Sequence, residues 1–102
     1  MTIVALDGLA SEDHIPQSFA LAKRQKNIIF DTGPTIGLLR EKGVAKFVKE
    51  IGADRLIFGS DLYALLPSYY HNITLDIINN AKIAPEERAK ILFGNARKLL
   101  QL

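Results

Sequence analysis

The chain contains no cysteine. That excludes a disulfide framework, a thiol nucleophile and a zinc–thiolate site, and it agrees with a cytoplasmic setting. An excess of one charge is also lacking: 13 Lys and Arg against 11 Asp and Glu leave a formal net charge of +2. The basic residues are scattered, with no stripe and no interleaved aromatic platform, so no nucleic-acid partner is expected. No apolar run approaches the roughly 18 residues of a membrane span, so no membrane is expected either. The start, Met1-Thr-Ile-Val-Ala-Leu6, has no basic leader and reads as a strand that begins at once. A P-loop, a GxGxxG, a GxSxG, an HxH and an HExxH are all missing. Gly33-Pro34-Thr35-Ile36-Gly37 matches no dinucleotide fingerprint and reads as a loop-shaping stretch.

What the chain does have is three short apolar runs, each ending in an acid. Residues 2–6 run into Asp7-Gly8. Ile28-Ile29-Phe30 runs into Asp31-Thr32-Gly33-Pro34. Leu56-Ile57-Phe58 runs through Gly59-Ser60 into Asp61. Continuous apolar runs of this length are the pattern of strands buried on both faces in a parallel sheet. Strands are expected at about 2–6, 27–31 and 55–59, with Ile3, Ala5, Ile29 and Ile57 on the face turned from the helices.

Helical spacing fills the intervals. A first helix is expected over about 14–25, capped by Asp13, with Ile15, Phe19 and Ala22 inward. A short turn over 36–41 broken by Gly43 precedes a helix bearing Val44, Phe47, Val48 and Ile51, which Gly52 ends. Further helices are expected over 69–81, from Pro85 to near Gly94, and beyond Asn95 as a cap. The order β-α-β-α-β-α-α-α implies right-handed crossovers, one α/β domain over 1–102 and helices on one face of the sheet.

Asp7, Asp31 and Asp61 all follow strands, and parallel strands present their carboxyl ends at one edge of a sheet. Strands one and three lie about 10 Å apart, so side chains from both reach one ligand though not each other. Asp61 is the first candidate for chemistry and Asp7 the second, while Asp31 is read mainly as a capping or loop-shaping residue. His14 and His71 are the only histidines. Neither directly follows a strand, and both read as surface residues.

Gly52-Ala-Asp-Arg-Leu-Ile-Phe-Gly-Ser-Asp61 resembles the last barrel strand of the amidohydrolase-related metal-dependent hydrolases. Asn27-Ile-Ile-Phe-Asp-Thr32 resembles their penultimate strand, and the stretch from Ala84 to Leu100 resembles their C-terminal helical tail. The resemblance implies a TIM barrel, of which 102 residues supply only the last three βα units and the closing helices; a whole barrel takes roughly 250. It also implies a divalent metal, zinc being expected, with Asp61 as metal ligand and proton-handling acid. Asp7 stands where the family usually has a histidine, and is expected to support the metal's ligands or to face the substrate. The family's upstream histidine ligands have no counterpart here, so no metal is expected to bind this chain tightly by itself.

The reading is therefore the C-terminal part of a metal-dependent enzyme. Such an enzyme hydrolyses a carboxylic amide, ester or lactone, or decarboxylates an acid, with a small-molecule substrate. The isolated chain is expected to be inactive, and to self-associate or to need the missing N-terminal part of the barrel. The alternative is a non-catalytic α/β module that oligomerises through its open sheet.

Overall fold

The computed structural model describes residues 1–5, 14–32, 36–59 and 69–101, with the backbone alone at 36–38 and 69–71. Three strands, β1 (Ile3–Ala5), β2 (Ile28–Asp31) and β3 (Leu56–Ile57), form one parallel sheet in sequential order. Helices α1 (Ile15–Arg24) and α2 (Ile36–Glu50) make the crossovers. Helices α3 (Tyr69–Asn80), α4 (Pro85–Ala89) and α5 (Asn95–Leu99) follow β3. This is the alternating α/β pattern expected of a partial TIM barrel.

The helices cover one face. Ile28, Phe30 and Leu56 point into it and are buried with Phe19, Ala22, Val44, Phe47, Ile78 and Ile91 in a single core. Phe47 stacks edge-on against both Phe19 (centroids 5.4 Å) and Phe30 (5.9 Å), which ties α1, α2 and β2 together. Register corrects one expectation. Ile3 pairs with Ile28 and Ala5 with Phe30, so both lie on the helix face; Val4, paired with Ile29, lies on the open face. Paired residues share a face. The open face thus carries Val4, Ile29, Asp31 and Ile57.

Three helix boundaries also differ from the sequence reading. The residue at the N-cap of α1 is His14, which makes no side-chain capping bond. Asp13 lies outside the described residues. The break in α2 falls at Arg40 (φ 57°, ψ −178°), not at Gly43. Gly43 is helical, and its missing Cβ leaves room for Leu39: a Cβ there would meet Leu39 Cγ at 2.8 Å. The third difference is in the tail. The chain does not stop at Gly94; it passes from α4 through a π-helical turn, Lys90–Gly94, into α5 as one continuous helix. Asn95 is inside that helix rather than capping it.

Gly52 does end α2 as expected. It sits at φ 118°, and its N–H reaches the Phe47 carbonyl at 3.2 Å. Only glycine reaches this backbone region without strain. Pro85 opens α4, and the Glu87 carboxylate accepts from the Ala84 N–H at 2.8 Å, one half of a capping box.

Candidate functional site

Parallel pairing carries the carboxyl ends of all three strands to one edge. The end of β3 is fixed there by a side chain from β2. The Thr32 N–H donates to the Ile57 carbonyl at 2.9 Å, the last rung of the backbone ladder. The next rung of a parallel ladder would run from the Gly59 N–H to the Thr32 carbonyl. Instead the Gly59 N–H donates to Thr32 Oγ1 at 2.8 Å, and the Thr32 hydroxyl donates to the Gly59 carbonyl at 2.7 Å. Thr32 is wholly buried. One hydroxyl thus closes both polar groups of Gly59, the last described residue after β3.

Asp31 is the last residue of β2, half-buried, on the open face beside Ile57. It stands five residues before Ile36, the first residue of α2, so it is not the N-cap of that helix. Its position on the barrel-facing side of a strand's carboxyl end is where such folds keep their chemistry. His14 is exposed at the start of α1. Asp7 and Asp61 lie outside the described residues, as does the side chain of His71.

The opposite end of β3 is held by two polar side chains, Arg55 and Asn95, whose sequence context signals no such role. Arg55 reaches back and donates to the carbonyls of Ile28, Ala22 (3.1 Å) and Gln25 (2.6 Å), closing the open carbonyls where α1 ends. Burial lowers the Arg55 guanidinium from its ordinary value; so strong a base still keeps its proton. The buried Asn95 amide donates to the carbonyls of Ala53 (2.6 Å) and Leu56 (2.8 Å). The Phe58 N–H donates to the Ile91 carbonyl at 2.9 Å. That carbonyl is available because the Asn95 N–H bonds to Lys90, five residues back, as a π-turn requires. The Ile57 carbonyl faces β2, so by alternation the Leu56 and Phe58 backbone groups face the other way. The tail helix therefore covers the outer edge of β3. A shallow hollow lined by Thr2, Lys26, Asn27, Arg55 and Lys98 lies at this amino-terminal edge, away from the strand ends that carry the acids.

Among the described residues no three His, Cys, Asp or Glu side chains come together as a metal site. A catalytic zinc takes three protein ligands. Asp31 is a hard oxygen donor on the proper face, so the donor type fits and the number does not. A zinc site here would need its remaining ligands from residues beyond the described ones or from other strands.

A family model described as Amidohydrolase matches residues 12–102. The chain belongs to the amidohydrolase family. Solved structures agree with this assignment. An uncharacterized TIM-barrel protein from Bordetella bronchiseptica superposes with a TM-score of 0.70 at 26% identity, covering 99% of this chain and 34% of that one. A 2,6-dihydroxybenzoate decarboxylase complexed with 2,6-dihydroxybenzoate superposes at 0.60 with 28% identity, covering 82% of this chain and 23% of the decarboxylase. The 2,6-dihydroxybenzoate decarboxylase from Rhizobium gives 0.59 and 28%, over 81% of this chain and 23% of that one. No curated protein matches. This amidohydrolase chain thus spans a quarter to a third of the solved barrels it resembles. Among its described residues no helix is long and apolar enough to cross a membrane.

Proposed function

We propose that this chain is the C-terminal catalytic segment of a metal-dependent amidohydrolase-family enzyme acting on a small carboxylic substrate. The observation that carries the reading is the shared carboxyl edge of three parallel strands, with β3 running directly into Gly59-Ser60-Asp61. Asp61 is assigned as the metal-side acid and Asp7 as a substrate-facing neighbour. A bound divalent ion, with zinc favoured, would supply Lewis-acid polarisation of the substrate oxygens. In hydrolysis, Asp61 would take the proton that the attacking water loses. In decarboxylation, the C–C bond to the carboxylate breaks, CO2 leaves and the carbon takes up a proton, for which a strand-end carboxylic acid is the natural donor. The likeness to 2,6-dihydroxybenzoate decarboxylases favours the second outcome.

Asp61→Asn keeps the shape and removes the charge. In the intact, metal-loaded enzyme of which this chain is a segment, with CO2 release from a dihydroxybenzoate as the assay, we expect kcat to fall by about 10²–10⁴-fold, with melting temperature little changed. Near-normal turnover, or a lower melting temperature as the main effect, would make Asp61 structural.

A second reading, association without catalysis, draws on the sheet itself. β1 is an edge strand and Ile3 is 46% exposed on the helix face, as expected where a neighbouring βα unit would pack. Bound metal with turnover separates the first reading from a stable metal-free oligomer.

A further inference from the structure

We propose that the hollow at the amino-terminal edge of the sheet binds a small phosphate monoester that carries a free hydroxyl. The hollow measures about 370 Å³, and its wall includes Lys26, Asp54, Arg55, Asn95 and Lys98. That volume lies in the lower range of small-molecule pockets. The site sits at the edge of the sheet away from the strand-end acids, so it is independent of the role assigned to Asp61.

Two side chains of the wall keep polar capacity that the fold does not use. Asn95 is only 7% exposed. Both atoms it meets are carbonyl oxygens, those of Ala53 and Leu56, so its NH2 is turned toward them. That leaves Oδ1 as its polar atom for the hollow, and nothing among the described residues donates to it. A buried acceptor without a donor is uncommon. Arg55 has five N–H groups in a fixed fork. The three on Nε and Nη2 go to the carbonyls of Ile28, Ala22 and Gln25. The two on Nη1 have no partner among the described residues.

Charge decides the kind of ligand. Lys26 and Lys98 are exposed at the rim, with no ion pair among the described residues. Asp54, the one acid of the wall, is held by Lys90 at 3.1 Å. Three cations thus face one acid that is already paired. A phosphate monoester, close to dianionic at neutral pH, matches that excess, and its oxygens accept from Nη1 and the ammonium groups. Asn95 Oδ1 asks for the opposite, a donor, which a phosphate dianion lacks. A hydroxyl on the same molecule supplies it.

Glycerol 3-phosphate carries both groups, methyl phosphate only the first and glycerol only the second. Each is titrated into the full chain at low salt, with calorimetry to give affinity and NMR of the Asn95 side-chain amide to give place. Glycerol 3-phosphate is expected to saturate, to shift the Asn95 amide signals and to bind about 5-fold tighter than methyl phosphate, the worth of one hydrogen bond. Glycerol is expected not to bind measurably. Lys26→Gln combined with Lys98→Gln removes two rim charges and no hydrogen bond of the fold. It should weaken glycerol 3-phosphate about 3–10-fold, as added salt should. Equal affinity for the two phosphates, or an Asn95 amide that does not respond, reduces the hollow to an adventitious anion site and overturns the assignment. Absence of saturation overturns it too, as does a double variant that binds like the unaltered chain. Should the double variant fold poorly, the comparison of the two phosphates on the unaltered chain decides alone.

Discussion

Single side chains stand in for backbone pairing at several points. Arg55 closes three carbonyls around the end of α1 and the start of β2, and Arg88 does the same for α3 through the carbonyls of Ile78 and Ala81. Arg55→Met keeps much of the side chain's length and apolar stem and removes every donor. Bonds from a charged donor are worth about 1.5–3 kcal/mol each at most. A net loss on the order of 2 kcal/mol is expected, seen as a lower urea midpoint at unchanged slope. Gly52→Ala forces a Cβ into φ 118° and is expected to cost roughly 1–3 kcal/mol by the same assay, although nothing crowds the site. Glu50 behaves differently because it lies at the surface. Its hydrogen bond from Lys23, at 2.7 Å, holds its carboxyl below the usual carboxylate range. A depressed acid stabilises the fold above its unfolded value and loses that contribution as pH falls through the folded value. Glu50→Gln should therefore lower the melting temperature slightly at neutral pH and low salt. The gap should close on acidification, and a gap that persisted in strong acid would refute the ion pair as its cause.

Sequence and structure agree best at the level of whole elements, because three apolar runs separated by helical spacing leave few alternatives. They part where two physical demands share a residue. Asn95 looks like a cap by type, yet it stands four residues after Ile91 on the same buried helix face. An amide on an apolar stripe has to find polar partners, and it finds them on β3. Asn95→Asp is the sharp test. The new carboxylate would face the Ala53 and Leu56 carbonyl oxygens, so it should destabilise more than Asn95→Ala, by about 3 kcal/mol or more at neutral pH. Its folded acidity would be weakened, so part of the loss should return on acidification, once the protonated group can donate again. Equal stability of the two variants across pH would refute the buried amide contact. The π-turn was not legible in advance, since Ile91 and Asn95 keep ordinary helical spacing. The bond from Phe58 uses the Ile91 carbonyl that the widened turn leaves open. The faces of β1 were illegible for a similar reason. Ile3, Val4 and Ala5 are all apolar, so alternation gives no clue, and only the register with Ile28–Phe30 decides.

At the scale of the molecule, the two outer strands are finished differently. The outer edge of β3 is occupied by the tail helix, while β1 ends the sheet with no described strand beyond it. Open strand edges invite pairing. Sedimentation of the chain by itself should therefore give concentration-dependent oligomers, and a polar substitution at Ile3 should weaken them. A monomer at every concentration would contradict this. The family and the parallel fold were legible in the Gly52–Asp61 string, whereas the partner of β1 was not, because the described residues supply three strands only. The covering of β3 also has a consequence for the order of synthesis. Leu56 and Phe58 emerge from the ribosome more than thirty residues before Ile91 and Asn95, the groups that shield them. Until the tail arrives, the last strand is a bare template. A stop codon or a proteolytic nick in the Ala81–Ala84 connection would leave it so permanently, and chains shortened in this way should be cleared or aggregate far faster than chains that keep the tail helix.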